Sequence, residues 1–275
     1  MPRPLPSSAR RARRLSRPNR VSRPVILGGA FPPAPQGSRL GCGMLCIILV
    51  HVARPALKGA FRHAKEIPWK ILSEAYAFIG NSLLKPMTMT STVGLDPAFW
   101  EAFPSFDDEA VAEAVAACAR YAEGAVQRAE AGEDEPQRAA VEYTKLFVGP
   151  PSPAAAPWET MYRGENVTVG FGQATFEMRE LLREAGLEVR NVNNQYEDHL
   201  GIELLYLSSL CARADADAAD APALESVADF IEKHPLSWVD AFRASIAEAA
   251  PDGYFVSLAG LARALLAWHA EALRV

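Results

Sequence analysis

Tyr143-Thr144-Lys145-Leu146-Phe147-Val148-Gly149-Pro150-Pro151-Ser152-Pro153-Ala154-Ala155-Ala156-Pro157-Trp158-Glu159-Thr160-Met161-Tyr162 divides the chain into a helical half before it and a helical half after it. Leu146, Phe147 and Val148 form an apolar helix end that runs into Gly149-Pro150. Glycine takes positive φ just past a helix, and proline cannot continue one. Pro151, Pro153 and Pro157 then fix their own φ and push their predecessors toward extended backbone, which predicts a stiff loop. It ends on Trp158, with Met161 and Tyr162 close behind. Two uses fit such a loop: a rigid platform presenting aromatics to a peptide, or a long connection whose tryptophan plugs the core.

Working back from the loop, Glu135-Pro136 opens the helix that reaches Phe147. Before it, Asp107 is read as the cap of a long alanine-rich helix from Asp108 to about Ala131, closed by Gly132, with Val111, Val115, Cys118, Tyr121, Ala122 and Val126 on its apolar positions. Asp96-Pro97 opens a short helix carrying Phe99, Trp100 and Phe103. Ile67, Ile71, Leu72, Ala75, Tyr76, Ile79, Leu83 and Leu84 recur at helical spacing until Pro86, and residues 87–95 read as loop.

Working forward, residues 170–185 read as an amphipathic helix with Phe171, Phe176, Met178, Leu181 and Leu182, closed by Gly186. A polar linker, Leu187 to Asn194, leads to a helix from Gln195 whose first turn is acidic, suiting the helix dipole. After the Ala/Asp tract 214–221, helices are expected at about 222–233, 236–250 and 254–273, punctuated by His234-Pro235 and Pro251-Asp252-Gly253. No stretch alternates as strands do. The chain reads as all-α, a single globular domain of eight or nine helices over residues 65–275, behind a disordered basic extension over residues 1–64.

Charge separates the two parts. Residues 1–60 hold ten Arg and Lys58 with no acid, and the first acid is Glu66. Of the chain's 28 basic residues, 17 remain against all 33 acids, so the body carries −16 although the whole chain carries −5. An acidic body argues against nucleic-acid binding, which needs a basic face against phosphate. The apolar run within Gly41 to Ala53 is too short for a membrane span, which takes about 20 residues. A start codon set too early accounts for the basic segment, with Met44 as one candidate start. Cys42, Cys46, Cys118 and Cys211 make no Cys-x-x-Cys, and the last two lie on apolar helical positions as buried thiols.

Glu197, Asp198 and His199 stand together, with Glu203 four residues after His199 and on its face. That spacing can ligate a metal, with His234 and His269 as remote candidates, and a helical metal-dependent hydrolase using Asp198, His199 and Glu203 is the alternative reading. Helix capping with a solvated acidic rim, or a polar recognition cluster, explains the same residues without metal. Gly170-Phe171-Gly172 lacks the preceding strand that a dinucleotide loop needs, and no Ser/His/Asp or Cys/His set is readable.

Three motifs in order resemble the TorD/DmsD/NarJ family of redox-enzyme (molybdoenzyme) maturation chaperones, closest to the TorD/DmsD branch. They are Leu146-Phe147-Val148-Gly149-Pro150 with Pro157-Trp158-Glu159 and Tyr162; Tyr196-Glu197-Asp198-His199 with Glu203; and His234-Pro235-Leu236-Ser237-Trp238 with Phe242. The resemblance covers about residues 65–273. It departs where Tyr196 replaces the usual proline, and where Pro151 stands in place of an aromatic common in the spacer. It implies a non-enzymatic cytoplasmic chaperone, monomeric or homodimeric. Such a chaperone binds the twin-arginine signal peptide and body of a molybdopterin oxidoreductase catalytic subunit until its cofactor is inserted. No resident cofactor is implied; transient contact with the molybdenum cofactor or a guanine nucleotide is left open. Glu197, Asp198 and Glu203 are expected to pair with the two arginines. Leu146, Phe147, Trp158 and Tyr162 are expected to receive the apolar run, with Tyr143, Pro157 and His199 completing the signal-peptide site. Within the family, Asp198 and His199 have a structural alternative, which is to order the 148–162 loop.

Overall fold

The computed structural model describes residues 25–26, 67–164, 167–189, 195–216 and 222–274. The extension read as disordered lies outside the described residues except at Val25–Ile26, and so do the Met44 run, Cys42, Cys46, His51 and His63. Among the described residues there are nine α-helices: α1 (Trp69–Leu84), α2 (Pro97–Glu101), α3 (Glu109–Glu130), α4 (Glu135–Tyr143), α5 (Gln173–Glu184), α6 (Leu200–Asp215), α7 (Leu224–Lys233), α8 (Pro235–Ala249) and α9 (Tyr254–Leu273). No helix among them is long and apolar enough to cross a membrane.

The all-α expectation holds with one correction. β1 (Val25–Ile26) pairs in parallel with β2 (Glu188–Val189), in the register Val25 to Glu188. Two residues are too few for alternation to register in a sequence. Residues 87–95, read as loop, contain two 3-10 turns at Met87–Met89 and Val93–Leu95.

Short acidic caps start several helices. Asp96 Oδ1 accepts from Ala98 N at 3.0 Å, and Asp134 Oδ1 accepts from Gln137 N at 3.1 Å. The α3 cap is Asp108, accepting from Val111 N at 2.9 Å, and not Asp107. Asp107 has φ +54° and belongs to the turn ahead of the helix. Losing such a cap costs about 1 kcal/mol.

α6 is the axis of the fold. Every residue from Leu200 to Leu207 is buried, the pattern of a helix enclosed on all sides. It makes the most extensive helix contact in the molecule, with α1. Gly80 and Gly201 permit that approach. A Cβ on Gly80 would stand 2.8 Å from the Gly201 carbonyl oxygen, and one on Gly201 would stand 2.7 Å from the Gly80 oxygen. α9 is sheathed by α3, α7 and α8. Its N-terminus is held from α4, where the Glu142 carboxylate accepts Tyr254 N and Phe255 N, each at 3.0 Å. Cys118 and Cys211 are buried free thiols, as their helical positions predicted.

Candidate functional site

The proline loop is built from its ends inward. α4 continues through a π-helical turn, Thr144–Val148, to Gly149 at φ +98°. The chain then doubles back, and Ala155 N donates to the Leu146 carbonyl at 2.8 Å. Tyr143, Leu146 and Phe147 are buried, with the Phe147 ring 5.0 Å from Phe255 and 5.8 Å from Phe242. Pro157 is also buried, and its carbonyl accepts from Leu200 N at 2.9 Å. These four residues, expected to touch a peptide, sit inside in this conformation and anchor the loop to the core.

The far end of the loop lies along the segment that precedes α6. Trp158 and His199 form an antiparallel bridge, and Glu159 N donates to the Asp198 carbonyl at 2.9 Å. The Asp198 side chain is fully buried. Its Oδ2 accepts from Thr160 N at 2.9 Å, and its Oδ1 accepts from the Thr175 hydroxyl at 2.9 Å. Burial raises this carboxyl's pKa against the opposing pull of those donors. Asp198 therefore clamps the loop to the first turn of α5 and to the start of α6. The helix start expected at Gln195 is corrected here: Glu197 and Asp198 precede α6, His199 is its N-cap, and the acid in its first turn is Glu203. His199 Nδ1 accepts from Gly201 N at 2.9 Å, which leaves the ring proton on Nε2. Burial holds this imidazole neutral, with a pKa of about 3.

One turn on, Glu203 projects from α6 into a closed polar cluster. Glu159, Glu203 and His234 are all buried, and one ligand atom of each lies within 4.8 Å of the others. Arg163 donates to Glu159 Oε1 from Nε at 2.8 Å and Nη2 at 2.6 Å, and to Glu177 Oε2 from Nη1 at 2.7 Å. His234 Nδ1 lies 3.0 Å from Glu159 Oε2 and 3.3 Å from Arg163 Nη2. Trp238 Nε1 donates to Glu203 Oε2 at 3.2 Å. Burial, reinforced by the Glu159 charge, raises the Glu203 pKa well above its ordinary value. Tyr162, half-buried, stacks on Trp238 at 5.2 Å. All three sequence motifs thus meet in one network.

This geometry corrects the metal-hydrolase alternative. Among the described residues, the group with metal-ligand proximity is Glu159, Glu203 and His234; it does not include Asp198, His199 or His269. Both Asp198 oxygens are engaged by threonines, and His269 stands beside Tyr76, whose hydroxyl is 3.1 Å from Nδ1. The Glu159 carboxylate already neutralises the Arg163 guanidinium, so a divalent cation there would face a fixed positive charge.

What reaches the surface is aromatic. Trp158 is half-buried, 5.9 Å from Tyr196 and 6.4 Å from the His199 ring. Trp158 Nε1 and His199 Nε2 are buried donors without an acceptor among the described residues. Gly170 lies beneath the indole, where a Cβ would stand 2.9 Å from Trp158 Cε3. Phe171 and Phe176, read as apolar residues of an amphipathic helix over 170–185, are 39% and 52% exposed, and they pack on each other at 5.1 Å; the helix begins at Gln173, so Phe171 precedes it. Phe171 also touches Tyr196 at 5.4 Å. Glu197 is spoken for by Arg179, which donates to it at 2.9 and 3.0 Å. Sequence reasoning missed Arg163, Thr160 and Thr175 as members of the site. Arg163, four residues after Glu159, had a readable spacing; the threonines had none.

A sequence model described as the nitrate reductase delta subunit family matches residues 106–244. The chain is 30% identical over 145 residues to the chaperone protein TorD of Vibrio cholerae, covering 52% of this chain and 65% of that protein. It is 26% identical over 173 residues to the Tat proofreading chaperone DmsD of Salmonella typhimurium, covering 62% of this chain and 74% of that one. The alignment thus spans about two thirds of the length of the TorD relatives, just short of that fraction.

Proposed function

The chain belongs to the nitrate reductase delta subunit family, in the TorD/DmsD branch, and from that membership we propose that it is a maturation chaperone for a molybdopterin oxidoreductase. It binds the twin-arginine signal peptide of the catalytic subunit in the cytoplasm and holds the subunit for cofactor insertion before export. It performs no catalysis of its own.

The observation that carries this reading is the clamp. Three motifs far apart in sequence converge on Glu159, Asp198, Glu203 and His234, and what they hold is one proline loop with Trp158 at its edge. A buried network of this kind fixes a surface in advance of binding, which lowers the ordering cost of capturing a flexible peptide. That surface joins exposed aromatics to carboxylates, the chemistry that suits arginines followed by an apolar run. Of the residues expected to meet the peptide, Trp158, Tyr162 and Glu197 reach the surface, while Asp198, His199 and Glu203 act from behind it.

Calorimetric titration of the full chain with synthetic leader peptides tests the proposal. The peptides come from the molybdoenzymes encoded in the same genome. Binding to one leader at about micromolar or tighter, lost when its arginine pair becomes alanine, is the expected result. A folded chain that binds none of them refutes it.

A further inference from the structure

Residues of α5 and α7 line a groove of about 570 Å³. The α5 wall carries Phe176, Glu177, Glu180 and Leu181, which recur at helical spacing and so share one face. The α7 wall carries Ser226, Asp229, Phe230 and Lys233, so the lining holds three carboxylates, Glu177, Glu180 and Asp229, against one ammonium. Phe230 stacks on His234 at 5.1 Å, and His234 is bonded to Glu159, so the groove floor is continuous with the buried cluster that clamps the proline loop.

The charges on the walls are unequal. Glu177 is engaged by Arg163 at 2.7 Å and approached by Lys233 at 3.9 Å. Glu180 is exposed and paired with an equally exposed neighbour on its own helix, Arg183, a contact that solvent weakens. Asp229 is exposed and has no ion-pair partner among the described residues. Each wall therefore offers an accessible carboxylate, Glu180 on one and Asp229 on the other. Phe176, 52% exposed, stands beside them and leads along its contact with Phe171 to the aromatic edge at Tyr196.

We infer that this groove is the seat of the arginine pair of the bound leader, an inference that rests on the leader-binding reading above. In an extended peptide, successive side chains point to opposite sides. Two adjacent arginines laid along the groove would send one guanidinium to Glu180 and the other to Asp229. The apolar residues that follow would pass over Phe176 and Phe171. A single arginine satisfies only one wall, and lysine lacks the planar fork that pairs bidentately with a carboxylate.

The test is titration of a leader peptide into the full chain and into Glu180→Arg, Asp229→Arg and Phe176→Ser. All three side chains are exposed, so the variants should melt as the wild type does. Val141→Arg, on the exposed face of α4 away from the groove, serves as the control. Each groove variant is expected to weaken binding roughly tenfold or more, with the control unchanged. Wild-type binding that all three groove variants preserve overturns the groove and leaves leader binding standing. Loss of binding in Val141→Arg alone does the same. No binding by the wild type overturns both.

Discussion

Asp198→Ala separates a clamp from a contact. In the wild type the carboxylate is fully buried and both oxygens are engaged, by Thr160 N and by the Thr175 hydroxyl, each at 2.9 Å. Alanine leaves two buried donors without acceptors, at about 1–3 kcal/mol each, so the expected loss is roughly 2–6 kcal/mol. For a domain of this size that lowers the melting temperature by roughly 5–15 °C. Asp198→Asn keeps one oxygen for Thr160 N and turns its amide toward Thr175, whose hydroxyl can rotate to accept. Its loss should be about 1 kcal/mol. The order of stability is therefore wild type, Asn, Ala. Circular dichroism melts measure it. Trypsin cleavage after Arg163 follows the loop itself, because that side chain is held by Glu159 and Glu177 only while the loop is clamped. Cleavage should be fastest in the alanine variant. An alanine variant that melts with the wild type and stays resistant to trypsin, yet no longer binds a leader, would refute the clamp and make Asp198 a direct ligand contact.

Other outcomes follow from the same cluster and from the helix crossing. Glu203 has its pKa raised in the fold, so the stability it contributes is complete below the ordinary carboxylate range and lost as pH rises through the raised value. Glu203→Gln, which keeps an acceptor for Trp238 and cannot ionise, should flatten the alkaline loss in urea denaturation, while Glu203→Ala destabilises at every pH. His199 and His269 are held down by burial to about 3 and about 4, so the stability they contribute is present above about 6.5 and lost as pH falls below it. Each should cost about 2 kcal/mol by pH 5, and His199→Asn, which can still cap Gly201, should lessen that acid slope; an unchanged slope refutes the assignment. Gly80→Ala should cost about 1–3 kcal/mol, because the added methyl meets the Gly201 carbonyl at 2.8 Å. Gly124→Ala in α3 would bring its methyl to 3.0 Å from Arg128 Nη1, on a guanidinium that Glu135 holds at 2.7 and 2.8 Å, so its gain in helix propensity is offset and it should cost less than Gly80→Ala by the same denaturation assay.

Helix positions were legible wherever a local signal announced them. Asp96-Pro97, Glu135-Pro136, Gly132, Gly186 and His234-Pro235 each stand at an observed boundary. The interior of the site was not, because its bonds join residues 23, 35, 38 and 75 positions apart, and no periodicity reports such distances. Phe171 and Phe176 show a different failure. Hydrophobicity alone grouped them with Met178 as the apolar residues of one amphipathic helix. At 3.6 residues per turn, Phe176 stands about 200° around the helix from Met178, so both cannot face inward. Met178 is buried, and Phe176 is the one left in solvent. The wheel carried that information, and the composition of the segment masked it.

The motifs that identify the branch are largely buried here, and this changes what they say about clients. Asp198, His199, Glu203, Glu159 and His234 have 2% exposure or less, so they specify how the loop is held and offer no surface to choose between peptides. The two departures from the family pattern fall on the outside. Pro151 is exposed in the loop, and Tyr196 is half-buried between Trp158 and Phe171. A proline at position 196 would remove a ring that now joins the Trp158 edge to the Phe171–Phe176 pair. Replacing Tyr196 by proline should therefore leave the clamp intact, since its backbone contribution to the turn is a carbonyl accepting from His199 N at 3.1 Å, a bond proline can still make. The aromatic surface would be cut in two. If the exposed edge selects the client, that substitution changes which leader binds with little change in the melt, and the buried motif residues do the reverse.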